Sequence, residues 1–304
     1  MKVVVTGGAG FIGSHSVEAL LAGGAHVTVF DNFSTGRRDN LPSDARLSVV
    51  QGDIRDPAAL ARAFKGATHV LHLAAQVSVR VSVDDPPASC QHNVLGFVNV
   101  LDAARREGVQ RVVYASSAAV YGVPRQLPVD EDAALAPISP YGLEKVINDR
   151  YAQLFRELYG QRSMGLRYFN VYGPRQDPSS QYAGVISKFA ALLARDEPLT
   201  VFGDGGQTRD FVFVRDVARV NALALASDYC GVCNVGTGVS VTLLELIEAL
   251  GACSGKRPQV RFDPPLAGDI RESAMAPSRL REVLGEVPAT RLADGLAALL
   301  SDGA

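Results

Sequence analysis

Lys2-Val3-Val4-Val5-Thr6-Gly7-Gly8-Ala9-Gly10-Phe11-Ile12-Gly13 opens the chain with a short apolar run that breaks at once into glycines. Gly7, Gly10 and Gly13 stand three apart, after a stretch that reads as a strand and before one, Ser14 to Leu21, that reads as a helix. In that setting each glycine has a separate task. The first makes a tight turn, the second brings bare backbone beside a pyrophosphate, and the third lets helix pack closely on strand. The helix N-terminus adds unpaired N–H groups and a partial positive charge for phosphates. Glycine triplets abound, so the triplet alone says little. With strand and helix on either side it points to a dinucleotide site.

Moving outward, apolar runs continue to alternate with helical stretches. Strands are expected at Lys2 to Val5, His26 to Phe30, Leu47 to Gln51, His69 to Leu73, Arg111 to Ala115 and Ser163 to Tyr168. Helices are expected at Asp56 to Phe64, Leu95 to Arg106 and, most clearly, Pro140 to Tyr159. In the last, Leu143, Val146, Ile147, Tyr151, Leu154, Phe155 and Leu158 form one apolar stripe, and Gly160 stops the helix. This rhythm predicts an α/β fold, a Rossmann-type doubly wound parallel sheet. Past Asn170 the sequence turns rich in Pro, Gly and Ser (Tyr172 to Ser180), which marks a crossover. The expected division is an NAD-binding domain over 1–170 with a returning segment near 212–238, and a smaller C-terminal α/β substrate domain over 171–304. That second part mixes short strands with helices at about Val185 to Arg195, Val214 to Ala226, Thr242 to Cys253 and Ser278 to Leu284.

The second strand ends in Asp31, where a carboxylate accepts the adenosine ribose hydroxyls. A 2′-phosphate would be repelled there, which favours NAD. Arg37 and Arg38 follow closely and read either as a phosphate site or as a solvated basic loop, the second fitting Asp31 better. Gly52-Asp53-Ile54 after the third strand places a carboxylate to meet the adenine amino group; a turn or helix cap is the other reading of Asp53.

Tyr141 and Lys145 stand four apart at the start of the long helix, so their side chains share a face. A phenol with a pKa of about 10 is a poor base near neutrality. A neighbouring ammonium and a positively charged nicotinamide ring favour the phenolate and lower that pKa. The strand at Arg111 to Ala115 delivers Ser116-Ser117-Ala118-Ala119-Val120-Tyr121-Gly122 at its C-terminal end, where ligands sit in open α/β sheets. A serine there is either a plain turn residue or a hydrogen-bond partner for an oxygen whose proton moves to or from Tyr141. The order of glycine loop, serine, tyrosine and lysine selects the second.

Composition is consistent with this reading. The chain has 304 residues and a formal net charge of −2, which favours neither nucleic acid nor an acidic membrane as partner. The N-terminal apolar run is too short for a signal-peptide core, and no later run suits a membrane span, so a cytoplasmic protein is expected. Cys90, Cys230, Cys233 and Cys253 do not suggest a disulfide framework. Cys230-Gly231-Val232-Cys233 lacks the second ligand pair of a structural zinc site and reads as strand, and no metal is expected.

Taken together, Thr6 to Gly13, Asp31-Asn32, Gly52-Asp53-Ile54, His72-Leu73-Ala74-Ala75, Asn93-Val94-Leu95-Gly96, Ser116 to Gly122, Ser139-Pro140-Tyr141-Gly142, Leu166-Arg167-Tyr168-Phe169-Asn170, Arg209-Asp210-Phe211 and Asn234-Val235-Gly236 carry a resemblance. Over essentially its whole length the chain resembles the extended short-chain dehydrogenase/reductases, and within them the NAD-dependent epimerase/dehydratase family with its UDP-hexose 4-epimerase branch. The resemblance implies that Ser117, Tyr141 and Lys145 are catalytic and touch the substrate or cofactor. It implies an NAD site made by Gly7, Gly10, Phe11, Ile12, Gly13, Asp31, Asn32, Asp53, Ile54, Leu73, Ala74 and Ala75, with Asn93 and Tyr168 at the nicotinamide end. It implies a UDP-sugar held by Asn170, Gly184, Val185, Arg209, Asp269 and Arg271, and a homodimer through the helices at Leu95 to Arg106 and Leu143 to Tyr159.

The two residues after the serine narrow the reaction. Dehydratases of this family carry an Asp-Glu pair there and decarboxylases a glutamate, whereas this chain has Ala118-Ala119. No acid stands ready to protonate a leaving hydroxyl, which leaves 4-epimerisation. Two departures from the family pattern stand out: Ala119 where related epimerases often have threonine or serine, and Leu266 where many have arginine. Ser273 occupies a position where some epimerases place a tyrosine that crowds the sugar C2 substituent, so room for an N-acetyl group is expected. Epimerisation of UDP-glucuronate or a dTDP-sugar remains an alternative. So does a noncatalytic NAD-sensing or scaffold protein on the same fold.

Overall fold

The computed structural model describes residues 1–177, 184–265, 271–287 and 289–302. The first strand, β1 (Lys2–Thr6), runs into α1 (Phe11–Ala22), followed by β2 (His26–Asp31), β3 (Leu47–Gln51), α2 (Pro57–Phe64) and β4 (His69–His72). Two short helices, α3 (Val79–Asp84) and α4 (Pro86–Cys90), lead through a π-helical turn at Gln91–Leu95 into α5 (Gly96–Arg106). Then come β5 (Arg111–Ser117), the long α6 (Pro140–Tyr159) and β6 (Ser163–Tyr168). The remainder comprises β7 (Asn170–Tyr172), α7 (Val185–Ala194), β8 (Leu199–Phe202), β9 (Thr208–Phe213) and α8 (Val214–Ala226). It ends with β10 (Gly231–Val235), β11 (Ser240–Thr242), α9 (Leu243–Ser254), β12 (Val260–Asp263), α10 (Ser278–Leu284) and α11 (Leu292–Asp302).

Seven strands pair in parallel in the order β3-β2-β1-β4-β5-β6-β10. Both faces are covered, so the central strands are apolar throughout, as in β1, where Val3, Val4 and Val5 are all buried. Alternation sends Val3, Val5, Val27 and Val29 to one core, against Val17 and Leu20 of α1 and Val217 and Val220 of α8. Val4, Phe30, Val70 and Val112 face the other core, against Leu60, Phe64, Phe97 and Leu101. The strand order reverses between β1 and β4, and ligands of such sheets sit at that crevice.

The six expected strands are all present, with ends shifted by a residue or two. Asp56 caps α2 rather than opening it, its carboxylate accepting from the Ala58 and Ala59 N–H groups. Within the stretch near 212–238, α8 lies on α1 and β10 forms the seventh strand beside β6. A third core gathers Ile186, Phe189, Phe211, Phe213, Leu246, Leu250 and Leu296 around the small sheet β11-β9-β7. The sequence reading missed α3, α4 and α11, which are too short or too weakly capped to announce themselves. Cys233 is sealed in the sheet core and Cys230 half-buried at the strand's start, so the Cys-x-x-Cys pair is divided. No helix among the described residues is long and apolar enough to cross a membrane.

The long helix departs from expectation in an instructive way. Of its apolar stripe, only Phe155 is buried, while Leu143, Leu154 and Leu158 are 51%, 45% and 62% exposed. The face turned to the sheet instead carries Glu144, Lys145, Asn148, Asp149 and Ala152. The three charged groups are tolerated because they find partners there: Glu144 with Ser89 and Asn93, Lys145 on the Ala115 carbonyl, Asp149 on Arg167 and Tyr114. Hydrophobic periodicity marks a face that avoids water, but does not say whether its own chain covers it.

Candidate active site

The glycine loop lies at the reversal point. Gly7 has φ +69°, and a Cβ there would meet the Ala74 amide nitrogen at 2.7 Å. A Cβ on Gly13 would meet the Gly7 carbonyl oxygen at 2.1 Å. Both positions therefore admit glycine alone, and Leu73 and Ala74, just after β4, press against the loop. Gly10 is the N-cap of α1 and offers no side-chain cap, so the leading N–H groups of Phe11 and Ile12 remain for an anion.

Asp31 is buried at the end of β2, where Oδ2 accepts from the Ala9 N–H (2.9 Å) and Oδ1 from the Phe33 N–H (2.8 Å). A carboxylate has about four acceptor sites, so two directions remain for ribose hydroxyls. Arg37 and Arg38 are exposed, and Arg38 lies over the Phe33 ring. Asp53 makes an Asx turn with the Arg55 N–H and a two-pronged pair with its guanidinium (2.9 and 2.8 Å), while Asn32 donates to its Oδ2. These bonds hold its carboxyl well below the usual range. The turn reading thus describes Asp53 fully within the chain, with buried Ile54 behind it.

Ser117 ends β5, Tyr141 opens α6, and the Ser117 side chain is near enough to the phenol to favour its ionised form. Their approach depends on Gly142, where a Cβ would meet the Ala119 carbonyl at 2.6 Å. Ser139 caps the helix by accepting from the Gly142 N–H, and the Tyr141 N–H donates to buried Ser82 Oγ at 3.1 Å. Lys145 Nζ donates to the Ala115 carbonyl at 3.0 Å and lies 5.7 Å from the Tyr141 ring centroid. Burial pulls the Lys145 ammonium down to about 8, although Asp149 and Glu144 hold it up. Burial likewise pushes the Tyr141 phenol up, the nearby Ser117 side chain opposes this, and the Glu144 charge adds to it. The lowering expected from the sequence is therefore not a property of the chain's own groups; desolvation outweighs them.

Asn93 is buried and clasps Gln76, donating to its carbonyl (2.8 Å) and accepting from its N–H (2.9 Å). Tyr168 is also buried, its hydroxyl donating to Asn221 Oδ1 at 2.6 Å. On the other side of the crevice, Asn170 and Arg209 share the small sheet, and Asn170 Nδ2 donates to the Asp210 carbonyl. Asp210 is fully buried and holds the turn after β10 through the Thr237 and Gly238 N–H groups. Gly184 is the uncapped N-cap of α7, just before Val185. Arg271 is exposed and forks to Asp204 at 2.8 and 2.9 Å. Ser273 is half-buried. Asp269 and Leu266 lie outside the described residues. Sequence reasoning missed Gln76, Ser82, Ser89 and Glu144. Only Glu144 left a trace, falling on the same helical face as Tyr141 and Lys145.

Comparison with known proteins agrees with this geometry. Residues 3–236 match the model of the NAD dependent epimerase/dehydratase family. The UDP-glucose 4-epimerase of Mycolicibacterium smegmatis is 43% identical, over 98% of this chain and 96% of that one. Among solved structures, the UDP-glucose 4-epimerase of Thermus thermophilus in complex with NAD is 41% identical, with TM-score 0.91 over 99% of this chain and 98% of that one. The UDP-N-acetylglucosamine 4-epimerase of Methanobrevibacter ruminantium, in complex with UDP-N-acetylmuramic acid, is 36% identical, with TM-score 0.96 over 99% and 97%. The chain belongs to the NAD dependent epimerase/dehydratase family.

NAD is its cofactor, and the residues present fit it: a cradle that any Cβ at Gly7 or Gly13 would fill, an uncapped helix N-terminus, and a carboxylate at Asp31. Gly13→Ala should push the Gly7 carbonyl out of place and weaken NAD binding by about tenfold or more, about 1.4 kcal/mol. Calorimetric titration of cofactor-stripped protein checks this, and an unchanged affinity would show that the loop does not hold the pyrophosphate.

Proposed function

We propose that this chain is an NAD-dependent 4-epimerase of UDP-linked hexoses. The observation that carries the reading is the Ser117–Tyr141–Lys145 cluster beside the glycine loop, with Ala118 and Ala119 where an acid would be needed to expel water. The names of the relatives support it.

In this reading Ser117 hydrogen-bonds the sugar O4, and Tyr141 takes the O4 proton as C4 is oxidised. Bound NAD would supply the hydride acceptor and donor for C4, so no net redox change would result. Lys145 has three donors and gives one to Ala115, which leaves others for the nicotinamide ribose. Its charge also favours the Tyr141 phenolate. The keto-sugar turns about its diphosphate, is reduced on the other face, and recovers its proton from Tyr141. Arg209 clamps the diphosphate as a charge-assisted donor, assisted by Arg271, the N-terminus of α7 at Gly184-Val185, and Asn170. Asp269 takes the nucleotide ribose. Retention of both Tyr141 and Lys145 favours an enzyme over a noncatalytic NAD sensor.

Tyr141→Phe should lower kcat by a factor of about 100 or more, the usual worth of a positioned acid–base, while NAD stays bound. Turnover of UDP-glucose, UDP-N-acetylglucosamine, UDP-glucuronate and a dTDP-hexose, followed by chromatography of the products, tests the reading. Preference for either of the last two identifies a sibling epimerase. An active phenylalanine variant removes the base assignment.

Ser273 leaves space for a C2 N-acetyl group, and both acetylated and plain hexoses are accepted in this reading. Ser273→Tyr should depress turnover of the UDP-N-acetylhexosamines at least about tenfold more than that of UDP-glucose, a steric discrimination within the reach of one pocket contact. Equal loss on both substrates would refute it.

The chain is further proposed to be a cytoplasmic homodimer. The exposed apolar stripe of α6, Leu143, Leu154 and Leu158, is what a second copy would cover. Light scattering is expected to give twice the chain mass, and Leu154→Glu with Leu158→Glu to give the monomer; a wild-type monomer would overturn this.

A further inference from the structure

Glu144 lies between Tyr141 and Lys145 on the inward face of α6 and is only 5% exposed. No lysine or arginine pairs with its carboxylate among the ion pairs of the described residues. Neutral donors hold it instead: Asn93 Nδ2 at 2.7 Å and Ser89 Oγ at 2.9 Å, both on Oε2. A buried carboxylate held only by neutral groups is costly, and a neutral side chain could accept the same two bonds. Its charge therefore calls for a reason beyond packing.

Both of its partners belong to one structural unit. Asn93 clasps the Gln76 backbone, and Gln76 Nε2 donates to the Ser78 carbonyl and to Ser89 Oγ. Ser82 Oγ in turn accepts from the Tyr141 N–H. The segment from Gln76 to Asn93 begins two residues after Leu73 and Ala74, which press on the glycine loop, and Val77, Val79 and Val83 along it are exposed. Glu144 is thus the joint at which α6 grips the segment bordering the crevice. Its charge also acts on Tyr141 and Lys145. The other groups facing that pair are Ser117 from β5, Asp149 further along α6 with its partner Arg167 from β6, and His72 of β4, which burial keeps neutral at about 3.

We propose that Glu144 is a positioning residue with two tasks: it locks the Gln76–Asn93 segment to the catalytic helix, and its negative charge keeps the Tyr141 proton in place and the Lys145 ammonium charged. Ionisation of Tyr141 then waits for the positive charge of the cofactor. The proposal rests on Tyr141 being the base.

The tasks separate in two substitutions of the holoenzyme. Glu144→Gln keeps an oxygen for Ser89 and Asn93 and removes the charge. Its Tyr141 phenolate, read as the ultraviolet difference spectrum against the matching Tyr141→Phe protein, should form at lower pH, and the acid limb of kcat should move down by about half a pH unit or more. Glu144→Ala should also lose the joint, raising KM and lowering kcat, each at least about threefold beyond the glutamine variant, as a crevice wall comes loose. Glutamine spectra and limbs that match the wild type, or that move to higher pH, overturn the electrostatic task. An alanine variant with the KM and kcat of the glutamine variant overturns the positional one. Should alanine fail to fold, Glu144→Leu alone, which removes the polar joint but fills the space and leaves Asn93 in place, makes the same comparison. An active Tyr141→Phe enzyme would instead sink the underlying base assignment and leave the spectra to judge Glu144.

Discussion

The ion pair between Asp149 and Arg167 fixes where the long helix stands on the sheet. Arg167 Nε and Nη2 both reach Asp149 Oδ2 at 3.0 Å, and neither side chain is more than 6% exposed. Tyr114 donates to the same carboxylate, while Arg167 Nη1 donates to the Tyr121 hydroxyl and the Glu131 carbonyl. One network therefore joins α6, β5, β6 and the turn after Ser117. Burying such a pair adds little net stability, because desolvation offsets most of the attraction. Its effect is on register. A helix rotated by one residue would leave both charges unpaired, which is strongly unfavourable, so Lys145 and Tyr141, one and two turns before Asp149, arrive where they do.

That placement completes a site whose other half is set by backbone geometry alone. Gly7 and Gly13 permit contacts that no side chain would survive, and they bring β1, α1 and the end of β4 together at the reversal of strand order. The glycine loop and the cluster of Ser117, Tyr141 and Lys145 therefore meet at the same edge of the same sheet. The two halves have different physics. The loop offers N–H groups and a helix end to phosphates; α6 offers a phenol and an ammonium whose charge states depend on burial and on each other. Arg209 and Asn170 approach from the small sheet across the crevice, held there by Asp210 through its bonds to the turn after β10.

The outward face of α6 follows from the same arrangement. Because its inward face is committed to Glu144, Lys145, Asn148 and Asp149, the leucines that make the helix look amphipathic are left outside. Charged and amide groups buried on the inner side, with leucines exposed beside Arg150, Gln153, Arg156 and Glu157, depart from the usual pattern of a surface helix. Glu144, whose charge acts on Tyr141, is one of the residues that hold this inward face and leave the leucines outside.

How much of this was legible beforehand depends on the range of the forces involved. Strand runs, the glycine triplet, Asp31 and the Tyr–Lys spacing are local: each needs only the pleat, the helical repeat or a turn to acquire its meaning. For that reason the fold class, the cofactor and the central cluster could be read from the chain. Asp53 shows the limit of local reading, since its turn with Arg55 was as visible in the sequence as its proposed contact with adenine. Which face of α6 is buried, the clasp of Asn93 on Gln76, the bond from Tyr141 to Ser82 and the bonds of Ser89 and Asn93 to Glu144 join residues far apart in the chain. They exist only once the sheet has assembled. The sequence alone determined a glycine-lined NAD cradle with a serine, a tyrosine and a lysine to serve it. Tertiary structure decided how hard Tyr141 is to ionise, because desolvation is the largest influence on it and burial is not written in local spacing.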